Sequence, residues 1–294
     1  MKSISLRKVL TTIIILVVIC AILFLILQAV NKVPVKPVVI NNITPTKTVI
    51  GSSVEGRGIE AYTYGSGGTH LAFVGGIHGG YEWNSVLLAY KFMDYLSANP
   101  TVIPVNLSVT IIPSANPDGM FKVVGKEGRF TSFDVKADLP VGTGRFNNHN
   151  VDLNRNFACN WQATSTWRNN IVSAGTAAFS EPEAKVIQDF ILKDKPVAVV
   201  FFHSQSNAVY ASECNNGILP KTLDIMNAYS KASGYPAINT FDSYKITGDA
   251  EGWLASINIP AITVELATHE GIEWDKNLAG IKALFTYFGP VNKI

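Results

Sequence analysis

From about Val49 onward, short apolar runs alternate with stretches of helical period. HLAFVGG (70–76), LSVTIIP (107–113), VAVVFFH (197–203) and PAITVEL (260–266) are rich in β-branched and aromatic residues, lack polar alternation and end in turn residues. That pattern predicts strands covered on both faces. Between them, Asn84–Ser97, Glu181–Lys193 and Lys221–Ser233 carry apolar residues at helical spacing. The second of these has a legible start: Ser180 as cap, Pro182 in the first turn, and Glu181 and Glu183 at the positive end of the helix dipole. The alternation predicts an α/β/α sandwich around a central mixed, mostly parallel sheet.

The amino-terminal pattern is different. Residues 9–30 form an uncharged, mostly apolar run; as a helix rising about 1.5 Å per residue it spans the ~30 Å hydrocarbon layer of a bilayer. Lys2, Arg7 and Lys8 precede it, which predicts a cytoplasmic segment 1–8, a single transmembrane anchor 9–30 and a domain held on the extracytoplasmic side, although Lys32 and Lys36 oppose that bias. The alternative is a secreted protein released by signal cleavage; that needs a shorter apolar core and a small-x-small site, for which Leu27-Gln28-Ala29 is a poor match. Pro34, Pro37 and Pro45 make residues 31–48 an extended stalk. Residues 49–294 are then the folded domain, without internal repeats.

Composition narrows the class. With 294 residues, 47% of them hydrophobic, and a formal charge of +2, the chain has neither the basic footprint of a nucleic-acid binder nor the bias of a disordered protein. No nucleic-acid partner is expected, and the domain is expected to be a monomer. Of three cysteines, Cys20 falls in the anchor. Cys159 and Cys214 fall in the domain, where an oxidising compartment permits a disulfide between them; two separate buried thiols are the alternative.

Polar residues gather where the predicted strands finish: His78, then Asn116 and Asp118 of NPDG, then His203 and Glu265. In open α/β folds such positions converge beyond the carboxyl ends of the strands. A hydrolytic zinc ion takes two histidine nitrogens and a carboxylate and keeps one position open. His78, Glu82 and His203 are of those types, at two strand ends. A lone histidine after a strand is more often structural, so the weight lies in the combination. Glu265 is placed where burial would raise its pKa toward that of a working base, or where it would serve as a salt-bridged core glutamate.

GGIHGGYE, SANPDG, GRFNNHNVDLNRNF, SEPE, FFHS and ITVEL occur in the order and approximate spacing of the carboxypeptidase A-like zinc carboxypeptidases, and the resemblance covers about Ile50 to Phe288. It implies a metallocarboxypeptidase holding one zinc ion per chain through His78, Glu82 and His203, a ligand set that is the family's own, with Glu265 as general base for a metal-activated water. Arg145 resembles the arginine that polarises the scissile carbonyl; Arg129 competes for that role but lies farther from DLNRNF. Asn154 and Arg155 resemble the pair that grips the substrate's terminal carboxylate, and Tyr244 the tyrosine that closes over substrate. Glu251, two positions before Trp253, falls where basic-specific members carry an acid, which implies preference for a cationic side chain. Alternatively, Asp249 caps a short helix AEGWLAS and Glu251 is a first-turn surface charge. One departure stands out: three residues separate His78 from Glu82, where the family usually has two. Glycines 79 and 80 can absorb the extra residue; strict spacing would place Tyr81 at the metal.

The implied substrate is a peptide with a free C-terminus. Alternatives are a peptidoglycan stem peptide cut between γ-D-glutamate and a diamino acid, a small-amide deacylase, which Tyr244 and NPDG oppose, and an inactive binding module, which the complete set of side chains opposes.

Overall fold

The computed structural model describes residues 15–16, 18–24 and 44–290. Residues 15–16 and 18–24 are helical. Among the described residues no helix is long and apolar enough to cross a membrane. The segment 1–8, most of the expected anchor and most of the stalk lie outside the described residues. Thr46, Lys47 and Thr48, read above as the end of the stalk, belong to a strand instead.

That strand, β1 (Thr46–Ser52), opens an eight-stranded sheet with β2 (Gly58–Gly65), β3 (Thr69–Val74), β4 (Leu107–Ile112), β7 (Ala198–Ser204), β8 (Ala208–Ala211), β11 (Ala237–Ile238) and β12 (Ala261–Leu266). The order is β1-β2-β4-β3-β7-β12-β8-β11. The four strands visible as apolar runs, β4-β3-β7-β12, are contiguous and mutually parallel. Antiparallel pairings lie toward the margins, β1 with β2, β2 with β4 and β8 with β12. Two hairpins lie outside the sheet, β5 (Thr164–Trp167) with β6 (Asn170–Ser173) and β9 (Glu213–Cys214) with β10 (Gly217–Ile218).

Both faces of the central strands are covered, as their unbroken apolarity requires. On one face Phe73, Val200 and Phe202 pack with α1 (Trp83–Ala98), α4 (Pro220–Ser233) and α6 (Trp274–Phe288). On the other, Ala72, Val199 and Phe201 pack with α3 (Pro182–Asp194) and α5 (Ala250–Ser256). A shorter helix, α2 (Pro117–Val124), begins at NPDG. The start of α3 differs from the sequence reading: Glu181, not Ser180, is the capping residue and makes no side-chain cap. Its carboxylate instead accepts from Asn147 Nδ2 and lies 2.7 Å from His149 Nδ1, while Ser180 Oγ donates to Glu181.

Candidate active site

β3 and β7 run parallel and end side by side, so the residues just beyond them share one end of the sheet. After β3 the chain turns through Gly79, whose φ of +46° puts it in the left-handed region. A side chain there would meet the Gly144 carbonyl at 2.5 Å and Gly119 Cα at 2.9 Å, so glycine meets both demands. The following single turn of 3₁₀ helix, Gly79–Glu82, returns Glu82 to the side of His78 and sends Tyr81 outward. Glu82 Oε1 lies 2.7 Å from His78 Nδ1, and its Oε2 lies 2.9 Å from His203 Nδ1 and accepts from Ser204 N at 3.2 Å. The two Nδ1 atoms are 3.2 Å apart. His78, Glu82 and His203 are all buried, and among the described residues they are the one set of three such donors close enough to hold a metal ion.

A carboxylate stands on the far side of each imidazole. His78 Nε2 lies 3.4 Å from Asp152 Oδ1, and His203 Nε2 lies 3.3 Å from Glu251 Oε1. A carboxylate behind each ring favours an Nε2–H, leaving the Nδ1 lone pairs aimed at the shared centre. Two lone pairs and an anionic carboxylate converging in a buried site are costly unless a cation or a proton neutralises them. The donor set, its burial and its carboxylate backing therefore fit a zinc ion.

The surrounding charges are interlocked. Burial alone would raise the Glu82 carboxyl, but the two histidines hold it well below the carboxylate range. Burial likewise opposes ionisation of Asp152, and Arg145 and then Arg155 overcome it. Arg145 donates to Asp152 Oδ2 from Nε at 2.9 Å, with Nη2 at 2.8 Å; its Nη1 points past Glu82 Oε1, 3.7 Å away. The guanidinium lies 4.6 Å from the Trp167 ring centre. Arg129 is elsewhere, paired with Asp94 on a half-exposed surface.

Glu265 sits directly opposite His203 in the β12–β7 register. Burial and then the Glu82 charge push its carboxyl up to about 7, and Oε2 accepts from Ser206 N at 3.2 Å. Of the two readings of Glu251, the surface one is corrected: the residue is buried in the cavity lining. Asp249 does cap α5, accepting from Gly252 N at 2.7 Å, yet Glu251 is buried rather than on the surface. Nor is its charge unpaired: Thr263 Oγ1 donates to it at 2.9 Å and His203 stands on its other side. Burial would raise the Glu251 carboxyl, but the His203 contact pulls it down. Asp249 is pushed up to about 6 by burial and by the Glu251 charge.

His78, Glu82, Arg145, His203, Asp249, Glu251 and Glu265 open onto one cavity of about 690 Å³, whose lining also includes Asn154, Arg155, Tyr244 and both Cys159 and Cys214. Arg155 donates to the Thr166 carbonyl from Nε (3.2 Å) and Nη2 (3.0 Å), and to the Asn154 carbonyl from Nη1 (2.6 Å). One N–H on each terminal nitrogen remains, a pair suited to a carboxylate. Asn154 Oδ1 accepts from Ala250 N. Cys159 and Cys214 are joined by a disulfide, which ties the loop after Arg155 to the β9–β10 hairpin.

The NPDG residues do not join the cluster. Asn116 caps α2 and donates to the Arg145 carbonyl; Asp118 is buried against Ser53 and Arg57. Both turn into the adjoining loops because the helix start and the β1–β2 turn need acceptors there. Sequence reasoning also missed Asp152, the hairpin residues Trp167 and Arg168, and His269, and raised Tyr81 only as a rival ligand. His269 Nδ1 is 2.7 Å from Ser204 Oγ, which in turn contacts Asn84 Oδ1 at 3.0 Å. Asn84 Nδ2 donates to two carbonyls, so its Oδ1 is the acceptor, Ser204 spends its proton there, and His269 must donate from Nδ1. DLNRNF contained the signal for Asp152, an acid with no apolar reason to be buried; His269 had none.

The zinc carboxypeptidase family pattern matches residues 41–286. Murein peptide amidase A of Escherichia coli K12 is 28% identical over 131 residues, 41% of this chain and 50% of that protein, so the chain spans about half the length of that relative. Among solved structures, murein-tripeptide amidase from Escherichia coli O157 superposes with a TM-score of 0.61 at 20% identity, covering 87% of this chain and 98% of that one. Bovine thrombin-activatable fibrinolysis inhibitor gives 0.63 at 21% identity, covering 83% and 88%. At these identities the superpositions speak for the fold, and the family match for the lineage: this chain belongs to the zinc carboxypeptidase family.

Proposed function

We propose that the chain is a zinc-dependent peptidase that releases the C-terminal residue of a peptide, with His78, Glu82 and His203 as the metal ligands. The observation that carries the reading is the convergence of two Nδ1 atoms on one buried carboxylate, each imidazole backed by a second carboxylate, beside a raised glutamate. A zinc ion held there would supply a Lewis acid and lower the pKa of water. Glu265, with its carboxyl pushed up to about 7, is suited to take a proton from the attacking water and pass it to the departing amine. Arg145, fixed through Asp152, presents Nη1 where negative charge develops on the carbonyl oxygen. The free N–H groups of Arg155, with Asn154, receive the terminal carboxylate, and Tyr244 covers the bound residue.

A second reading keeps this chemistry and takes a peptidoglycan stem peptide as substrate. It is favoured by the similarity to the murein peptide amidase and by Asp249 in the cavity wall, an acid suited to a diamino acid's ammonium. The apolar run 9–30 with Lys2, Arg7 and Lys8 before it supports a membrane tether for an extracytoplasmic domain. Digestion of a peptide library with free and amidated C-termini, read by mass spectrometry, tests the proposal: loss of cleavage on amidation is expected, and equal cleavage of both forms would rule out an exopeptidase.

A further inference from the structure

Three consecutive residues of the β5–β6 hairpin touch three different stations of the cavity. The Thr166 carbonyl holds Arg155. The Trp167 ring faces the Arg145 guanidinium at 4.6 Å. Arg168 Nη2 donates to the Tyr81 hydroxyl at 3.0 Å. Arg168 occupies the first position of the two-residue turn, with φ +54°, as a tight hairpin requires. On the proposed function, the order along the hairpin is the order along the substrate: terminal carboxylate at Arg155, scissile carbonyl at Arg145, and then the acyl side at Arg168. A strand advances about 3.3 Å per residue, close to the rise of an extended peptide lying beside it.

Tyr81 is the residue that lengthens the spacing between His78 and Glu82. Its ring packs against Trp167 at 5.2 Å and His269 at 4.5 Å, and its hydroxyl steers Arg168 over the cavity mouth. Among the described residues Arg168 has no carboxylate within ion-pair distance, whereas Arg57, Arg129 and Arg145 each have one; Arg155, likewise without one, is held instead on backbone carbonyls. An exposed guanidinium anchored at one nitrogen retains donors for an incoming anion.

We infer that Arg168 is the binding residue for a carboxylate carried by the substrate residue that supplies the scissile carbonyl. This rests on the proposed function for its direction. An ordinary acidic residue and a γ-linked glutamate with a free α-carboxylate present the same group, and the test separates them. Zinc-loaded protein carrying Glu265→Gln, in which turnover should be slowed by roughly 10² to 10⁴, is titrated calorimetrically with four peptides. Their acyl residue is α-linked glutamate, γ-linked glutamate, or the corresponding amide of each, with one common leaving residue. At least one acid is expected to bind about tenfold more tightly than its amide, and the member of the pair that does so names the source. Adding Arg168→Gln should bring the ratio to about one by weakening the acid alone, and Arg168→Lys should restore part of it. No preference for either acid over its amide, or a preference that survives Arg168→Gln, would overturn the assignment. Hydrolysis by the parent is scored separately: acid-selective binding without turnover would refute the peptidase reading and leave Arg168 as an anion site.

Discussion

Glu82 reaches His78 across three intervening residues, with Oε1 2.7 Å from Nδ1, because a 3₁₀ turn led by left-handed Gly79 folds the extra residue outward. The spacing that departs from the family's usual motif thus leaves the donor set whole and places Tyr81 at the cavity mouth. Glu82→Ala is expected to purify with clearly sub-stoichiometric zinc, and Tyr81→Phe with a full complement. Metal analysis of the two proteins checks this; zinc loss confined to Tyr81→Phe would reverse the assignment of ligand.

Glu265→Gln should retain zinc and lose activity by roughly 10² to 10⁴, the range for removing a general acid–base group. The pH dependence has a definite sign. A base must be ionised to act, and this carboxyl is pushed up to about 7, so kcat/KM should fall as the pH drops. The midpoint should lie below 7 in the zinc-loaded enzyme, since a bound cation favours the ionised form. A profile flat from pH 5 to 8 would remove Glu265 from the mechanism.

Glu251 stands behind His203 rather than free in the cavity floor. Glu251→Gln should therefore weaken zinc affinity about 10- to 100-fold, the usual effect of losing a carboxylate behind a ligating imidazole. Competition against a chromophoric chelator measures it. The ratio of kcat/KM for substrates ending in Lys and Leu should change little; a collapse of that ratio with zinc affinity intact would restore Glu251 as a specificity residue.

The Cys159–Cys214 bridge closes a loop across a sequence separation of 55, for which loop-closure entropy gives about 4 kcal/mol of stabilisation. Cys159→Ser combined with Cys214→Ser should lower the denaturation midpoint accordingly in equilibrium unfolding. An unchanged midpoint would mean that the β9–β10 hairpin is already held by its packing on α5.

The parts legible in the sequence were those whose physics is local. Val199 to Phe202 read as a strand because burial on both faces removes every polar position, and His78, His203 and Glu265 were visible because they interrupt that pattern where strands end. β8 and β11 were not legible: four and two residues long, they are strands only because β12 and each other supply partners. The contact of Glu251 with His203 was not legible, because that residue is 48 positions away in sequence and 3.3 Å away in space. Arg168 and His269 carried no local signal, since a turn arginine and a loop histidine gain meaning only from Tyr81 and Ser204.

The hairpin β5–β6 also constrains how this domain can vary in descent. Ser165 and Trp167 face inward on alternate positions, with Ser165 accepting from Thr247 Oγ1. Losing or gaining one residue between them reverses the facing of everything beyond the change, exchanging Trp167 for a polar neighbour against Arg145. Length changes in this short strand should therefore be inherited in twos, or be compensated by a bulge, whereas the turn at 168–169 can lengthen freely wherever an anion no longer has to be met there.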